Sequence, residues 1–279
     1  MSVVNTNILS LNAQNSLMRT NSQLSTAMER LASGLRVNSS KDDAAGLAIA
    51  NNMTAQIRGM TVAQRNANDG ISLAQVADGS LSTVTDTLLR MRDLAVQAAN
   101  SGGLSGDDKD KLQVEYGELQ AEVTRIIEST TFNGKEILGG SLASGAVFQV
   151  GANTTSNDKI TVTIGDVAAA SGVAAVVTAT NSIGAAGNPA TAMTNIDAAL
   201  GEVDDIRAQL GAVQNRLTAT IGNLANAIEN QSAARSRILD ADFAVETANL
   251  SRAQILQQAG TAVLSQANVA PQSVLSLLG

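Results

Sequence analysis

Apolar residues recur at helical spacing over both ends of the chain and lose that spacing in the middle. Near the start, Leu17, Leu24 and Leu31 fall seven apart, and Asn21, Met28 and Leu35 fill the alternate positions of a four-three seam. A second helix is expected from Ser40, where Ser40 and Asp43 read as a capping box and Asp42 and Asp43 suit the positive end of the helix dipole. Its stripe runs through Ile57, Met60, Ala67, Ile71, Ala74, Leu81, Val84, Leu88 and Met91 to about Asn100. Gly70 and Gly79 interrupt it, each at a cost of about 1 kcal/mol against Ala that packing must offset. Ser105 with Asp108 forms a second capping-box pattern, which opens a third helix through Ile127.

The period changes at Phe132. Asn133-Gly134 is a hairpin signal, because both central residues of a type I′ turn need positive φ. Val147–Val150 and Ile160–Ile164 alternate and are rich in β-branched residues, with 153–158 as the loop between them. Residues 166–193 hold ten Ala and a single charge, Asp166, which reads as a surface excursion or a short linker. Helix resumes at Asn188-Pro189, where Pro suits the first turn. Val203, Ile206, Leu210, Val213 and Leu217 lead to Ile221, Leu224 and Ile228 through a stutter. A last stripe, Ala253, Leu256, Gly260, Val263, Ala267, Ala270, Val274 and Leu277, reaches the C-terminus, and Pro271 inside it is expected to kink or break the helix.

The matching ends predict a mainly α fold: a long antiparallel helical hairpin, a coiled-coil rod, with a small β-hairpin region near mid-chain. Charge supports pairing of the ends weakly. Residues 1–40 carry Arg19, Arg30 and Arg36 against Glu29, and 239–279 carry Asp240, Asp242 and Glu246 against Arg252, so the signs are opposite.

Composition then removes most chemistry. The 279 residues include no His, Cys or Trp, and the only aromatic residues are Tyr116, Phe132, Phe148 and Phe243. Histidine acid–base catalysis, thiol nucleophiles, disulfides and the usual zinc sites are therefore excluded. The net charge of −7 and the scarcity of aromatics argue against nucleic acid. No run approaches the ~20 apolar residues of a membrane span. The first residues lack the basic and apolar regions of a cleaved signal, which leaves a cytosolic protein or export by a route without one.

Asn133-Gly134-Lys135 lacks the earlier Gly of a phosphate loop. Asp107, Asp108 and Asp110 lack the Gly and distal Glu of a calcium loop and read as a solvated helix start. Asn153-Thr154-Thr155 fits a glycosylation acceptor, a short pattern that also recurs by chance. Arg90, Arg92 and Asp93 beside Leu94 read as an ordinary charged face. No enzyme, cofactor or metal is implied, and no catalytic residue.

The terminal stripes remain. They either pack only on each other or complete their core with copies of the same chain, and Ala and Gly at close-approach positions favour the second. A contact of that kind that does not close on itself builds a helical filament. The candidate polymerisation seam is Leu17, Leu24, Leu31, Leu35, Leu256, Val263, Val274 and Leu277.

LASGLRVNSSKDDAAGLAIAN (31–51), QRNANDGISLAQ (64–75), LLRMRDLAVQAAN (88–100), FNGKEIL (132–138) and FQVGAN (148–153) resemble bacterial flagellin. So do ARSRILDADFAVETANLSRAQILQQAGTAVLSQAN (234–268) and PQSVLSLLG (271–279). The resemblance covers roughly residues 1–165 and 188–279. Gly279 departs from the Arg that ends many relatives, and the outer domains that many flagellins insert are reduced to about 166–187 or absent.

The resemblance implies a structural subunit of the bacterial flagellar filament used for swimming. It implies 1–43 and 239–279 as the two halves of an inner filament-core domain. Residues 44–238 become an outer helical domain, with a β-region over 130–165 and a variable excursion over 166–187. Its partners would be copies of itself, the flagellar cap and hook–filament junction proteins, and a cytoplasmic flagellin secretion chaperone on the C-terminal helix. Export would run unfolded through the flagellar type III channel to an extracellular flagellum, with no cleaved signal peptide. The family's contact with the host flagellin-sensing Toll-like receptor maps onto Arg90, Leu94 and Glu115. A hook–filament junction protein, which shares flagellin-like ends, is the alternative.

Overall fold

A computed structural model describes residues 6–275, with side chains described as far as Val269. Its elements are α1 (Ile8–Ser33), α2 (Ala44–Ala98), α3 (Gly106–Ser129), β1 (Thr131–Phe132), β2 (Lys135–Glu136), β3 (Ala146–Gln149), β4 (Lys159–Val162), α4 (Ser171–Val177), α5 (Pro189–Leu239) and α6 (Phe243–Leu275). The fold is mainly helical with two small hairpins, as the periodicity predicts. It divides into two compact units, Met1–Ala55 with Glu229–Gly279, and Gln56–Ile228.

In the first unit α1 and α6 pair along their lengths. The pairing is antiparallel, since Asn21 bonds Gln257 while Arg30 bonds Glu246. Asn7 caps α1, its side-chain oxygen accepting from the Ser10 amide at 3.1 Å. Gly34 ends α1 at φ 71°, a left-handed position natural for glycine, and its N–H returns to the Arg30 carbonyl. The chain beyond it pairs with the α5–α6 junction: Ala241 donates to the Gly34 carbonyl at 2.9 Å, and Arg36 to the Leu239 carbonyl at 2.6 Å.

The start of α2 differs from the Ser40 expectation. The carboxylate of Asp43 accepts from the Gly46 amide at 2.8 Å, so Asp43 is the cap and the helix opens at Ala44. Asp42 instead closes the preceding turn on Asn38 and Ser39, and the Ser39 amide and hydroxyl hold its carboxyl below the usual range. An Asp accepts amide donors as readily as Ser and adds a negative charge at the dipole's positive end.

In the second unit α2 and α5 run antiparallel. Gln64 donates to the Ile221 carbonyl, Arg207 pairs with Asp78, and Arg92 with Asp197. The predicted α2 stripe from Ala67 to Met91 is buried or half-buried: Ala74 to Met91 meet Leu210, Val203 and Ile196 of α5 in one core, and Ala67 and Ile71 join a smaller cluster with Leu217, Val150 and Ile160. Gly70 faces Leu217 and Phe148, where a Cβ would sit 3.1 Å from the Leu217 methyl, so close approach is the compensation for its helix cost. Ser105 and Asp108 form the expected capping box, and Asn188 caps α5 ahead of Pro189. Asn133 and Gly134 take φ 49° and 75° between β1 and β2, as the turn requires. β3 and β4 pair antiparallel, with Val147 opposite Thr161 and Phe148 opposite Ile160.

The stretch 166–187 corrects the reading as a surface excursion. Val167, Val173, Val176 and Ile183 are fully buried and close the same core. Polar side chains from neighbouring helices hold its backbone. Glu202 accepts from the Ser171 hydroxyl and the Gly172 amide at the start of α4. Gln120 donates to the carbonyls of Val176, Thr178 and Asn181, and Gln113 accepts from the Ile183 and Gly184 amides. Ala-rich composition hid a segment whose order comes from partners far away in sequence.

Candidate functional site: the terminal seam and the α2–α3 ion pair

Packing on the described residues of α1 and α6 follows a three-four repeat. On α1 the positions are Ser10, Ala13, Leu17, Thr20, Leu24, Ala27 and Leu31, all buried or half-buried. On α6 they are Glu246, Leu250, Ala253, Gln257, Gly260, Leu264 and Ala267. Leu35 is half-buried beyond the end of α1, bridged to Asp240, and Leu17, Leu24 and Leu31 lie half-buried on this face of the α1–α6 contact. The alternate positions do not. Met28 is 50% exposed and Asn21 faces outward to Gln257, while Thr20 and Ala27 take the inner places. Leu256 and Val263 are 46% and 59% exposed, beside this contact rather than in it. Val274 lies in α6 beyond the described side chains, and Leu277 lies outside the described residues. Small residues win the inner places because they let the helix backbones approach; Gly260 sits against Leu17, 3.2 Å from where its Cβ would be.

Polar residues that the sequence reading missed set the ends of this contact. Ser10 is buried and donates to the Asn268 side chain at 2.8 Å, and Asn7 donates to the Ala267 carbonyl at 2.7 Å. Arg30 meets the buried carboxylate of Glu246 at 3.0 Å, in a groove of about 310 Å³ also lined by Thr26, Asn249, Arg252 and Leu256. The opposite charges of the two ends were the only signal of that pair. Ile8, Leu9, Leu11 and Met18 on α1, with Phe243, Val245, Ile255 and Val269 on α6, remain exposed around the contact.

In the second unit, Arg90 and Glu115 come together. The guanidinium donates through Nε at 2.9 Å and Nη2 at 2.6 Å to one carboxylate oxygen, and both side chains are about half exposed. Leu94 is 2% exposed and packs into the core under that turn of α2, so the structure separates it from the exposed pair. The exposed apolar neighbours in sequence are Leu89 and Val114. Tyr116, one residue on, is buried with its hydroxyl accepting from Asn181 at 2.8 Å, and burial pushes its ionisation up to about 12. Among the described residues no group of three or more acidic side chains is placed to hold a metal, and no helix is long and apolar enough to cross a membrane.

Antiparallel terminal helices with apolar residues left uncovered, joined to a helical and β-hairpin unit, define a class of protein that works by helix-to-helix contact. The comparisons give that class its family. Residues 4–143 match the model of the bacterial flagellin N-terminal helical region, and 193–278 match that of the C-terminal helical region. The chain belongs to the bacterial flagellin family; it is a subunit of the flagellar filament, a structural protein and not an enzyme. It is 46% identical to the flagellin of Xenorhabdus nematophila and 43% identical to that of Bacillus subtilis strain 168, over 99% of each chain in both cases.

Among solved structures, Bacillus cereus flagellin matches at 32% identity with a TM-score of 0.49, over 57% of this chain and 88% of that one. A putative flagellar hook-associated protein from Vibrio parahaemolyticus matches 71% of this chain and 100% of its own, with a TM-score of 0.57 but only 14% identity. That likeness shows a shared fold and leaves the family assignment with the flagellins.

Proposed function

We propose that this flagellin polymerises through its terminal helices and that neighbouring copies complete their folding. The observation that carries it is the set of large apolar residues left exposed on both α1 and α6, including the seam candidates Leu256 and Val263. A helix pair with small residues at its contact buries little surface by itself. Copies of the chain supply the missing cover, which couples folding to growth at a filament end and keeps the unassembled chain exportable. On this reading the inner filament core is built by 1–43 and 239–279. The partners are the cap and hook–filament junction proteins outside the cell, and inside it a secretion chaperone covering α6 before type III export. Deleting 240–279 leaves a soluble, partly helical monomer that does not sediment as filaments; normal filaments from that variant would overturn the reading.

A second reading rests on the Arg90–Glu115 pair. The monomer presents these two charges to the host flagellin-sensing Toll-like receptor, with Leu94 supporting the turn from beneath. In a reporter assay with purified monomer, Arg90→Ala lowers the response at least about tenfold, the scale of a lost charge-assisted contact. An unchanged response removes the receptor claim.

A further inference from the structure

Pro271 lies within α6, where the sequence predicts a kink or break, yet the helix continues to Leu275. A proline has no N–H, so the carbonyl four residues back, that of Ala267, has no donor from its own helix. The only other proline is Pro189, so ahead of the last turn Ala267 holds the one α6 carbonyl freed in this way. The side-chain amide of Asn7 donates to that oxygen at 2.7 Å, across 260 residues of sequence. The oxygen of the same amide accepts from Ser10 and caps α1. One turn of contact is thus bonded in both directions, with Ser10 donating to Asn268 beside it.

We propose that Pro271 creates a specific acceptor on α6 and that Asn7 is the residue that reads it, fixing the register in which the two ends of the chain pair. Apolar packing cannot do this alone, because a three-four repeat looks much the same after a slip of seven residues. A slip of one heptad toward the start of α6 would set Asn7 against the carbonyl of Gly260, which the helix ladder already pairs with the amide of Leu264. The slipped pairing would also leave the Ala267 carbonyl without a partner, and an unmade bond to a buried polar group costs more than a made one gains. Pro271 therefore acts as a marker in the sequence of α6 rather than as its terminator, and Asn7 is a positioning residue acting through that carbonyl.

The test compares the full-length wild type with Asn7→Ser, Pro271→Ala and the double variant by amide hydrogen exchange. It uses whichever state, soluble or sedimented, protects α1 of the wild type. Serine still caps α1 but cannot reach the Ala267 carbonyl, whereas Pro271→Ala restores a backbone N–H that satisfies it. Asn7→Ser speeds exchange about fivefold in 264–270 of α6 as well as in 8–14 of α1, the effect of one hydrogen bond. In the Pro271→Ala background the same substitution leaves 264–270 unchanged. An Asn7→Ser effect confined to α1, or one of equal size with and without Pro271, overturns the proposal. Filament yield reports separately on the polymerisation reading, so the two can fail independently.

Discussion

The two units use the same helices and the same Ala-rich composition to different ends. The unit from Gln56 to Ile228 closes on itself: Leu81, Leu88, Met91, Ile127, Ile164 and Ile196 are fully buried, and even its buried polar residues, Gln120, Thr130 and Asn181, are bonded. Among its described residues the terminal unit buries few large side chains: Ala27, Val37, Ala50, Ala253 and Ala267 are the buried hydrophobics, and the leucines and methionines are half-covered or exposed. Burial of a large aliphatic side chain contributes about 1.5–3 kcal/mol, and of an alanine methyl far less. The difference teaches where large apolar burial lies: the central unit covers its own large side chains, and on the proposed reading the terminal unit is finished by other copies.

The largest expected effect that could break this contrast is a paired cavity test. Leu88→Ala, in the core, costs about 3 kcal/mol of unfolding free energy. Leu24→Ala, half-buried on α1, costs about 1 kcal/mol in the monomer. Urea unfolding of the full chain followed by circular dichroism measures both. Equal costs would mean that the terminal unit already carries a monomer core, and the contrast would fall.

A smaller effect separates the units by how tightly their backbones meet. A Cβ on Gly172 would lie 2.6 Å from the Ala199 nitrogen and 2.8 Å from the Ala198 carbonyl carbon, atoms of the α5 backbone that cannot step aside. Gly172→Ala is expected to cost about 2 kcal/mol by pushing α4 off α5. At Gly260 the nearest neighbour is the Leu17 side chain at 3.2 Å, which can shift, and Ala gains about 1 kcal/mol in helix propensity. Gly260→Ala is therefore expected to leave thermal unfolding of the monomer nearly unchanged. A large loss there would show that the α1–α6 contact is as rigidly packed as the central core.

How much of this was legible in the sequence follows the same division. In the central unit the α2 stripe, the Ser105 capping box, the Asn133-Gly134 turn and the α5 start at Pro189 are local patterns with large apolar residues or special backbone angles, and each was readable. In the terminal unit the Leu17–Leu24–Leu31 spacing was readable, but its phase was not. Ranking by apolarity put Met28 inside, whereas close approach put Thr20 and Ala27 there, and on α6 the covered position is Leu264 rather than Val263. The stretch 166–187 failed for another reason, since the side chains that order it, Glu202, Gln113 and Gln120, lie outside it. Arg90 and Glu115 were reachable only through family resemblance, because no local pattern joins residues on two helices. The Asn7–Ala267 bond was hidden behind a proline read as a breaker.

The smallest effect sharpens the contrast at a helix end. Ser105 and Asp108 bond reciprocally, the Ser105 hydroxyl donating to the Asp108 carboxylate at 2.6 Å and the Asp108 amide to the Ser105 oxygen at 3.3 Å. The Ser105 hydroxyl, and then Lys111 at 3.1 Å, hold the Asp108 carboxyl down to about 2. Because the folded value lies below the ordinary aspartate value of about 3.9, the unfolded chain binds the proton first. The box thus contributes its full stability above about pH 4, and that contribution is lost as the pH falls through about 2. Amide exchange at 106–110, corrected for its intrinsic pH dependence, is expected to speed up over that window in the wild type. Asp108→Asn, which cannot ionise, removes the acid step, and a step that persisted would place it at another carboxylate of the unit.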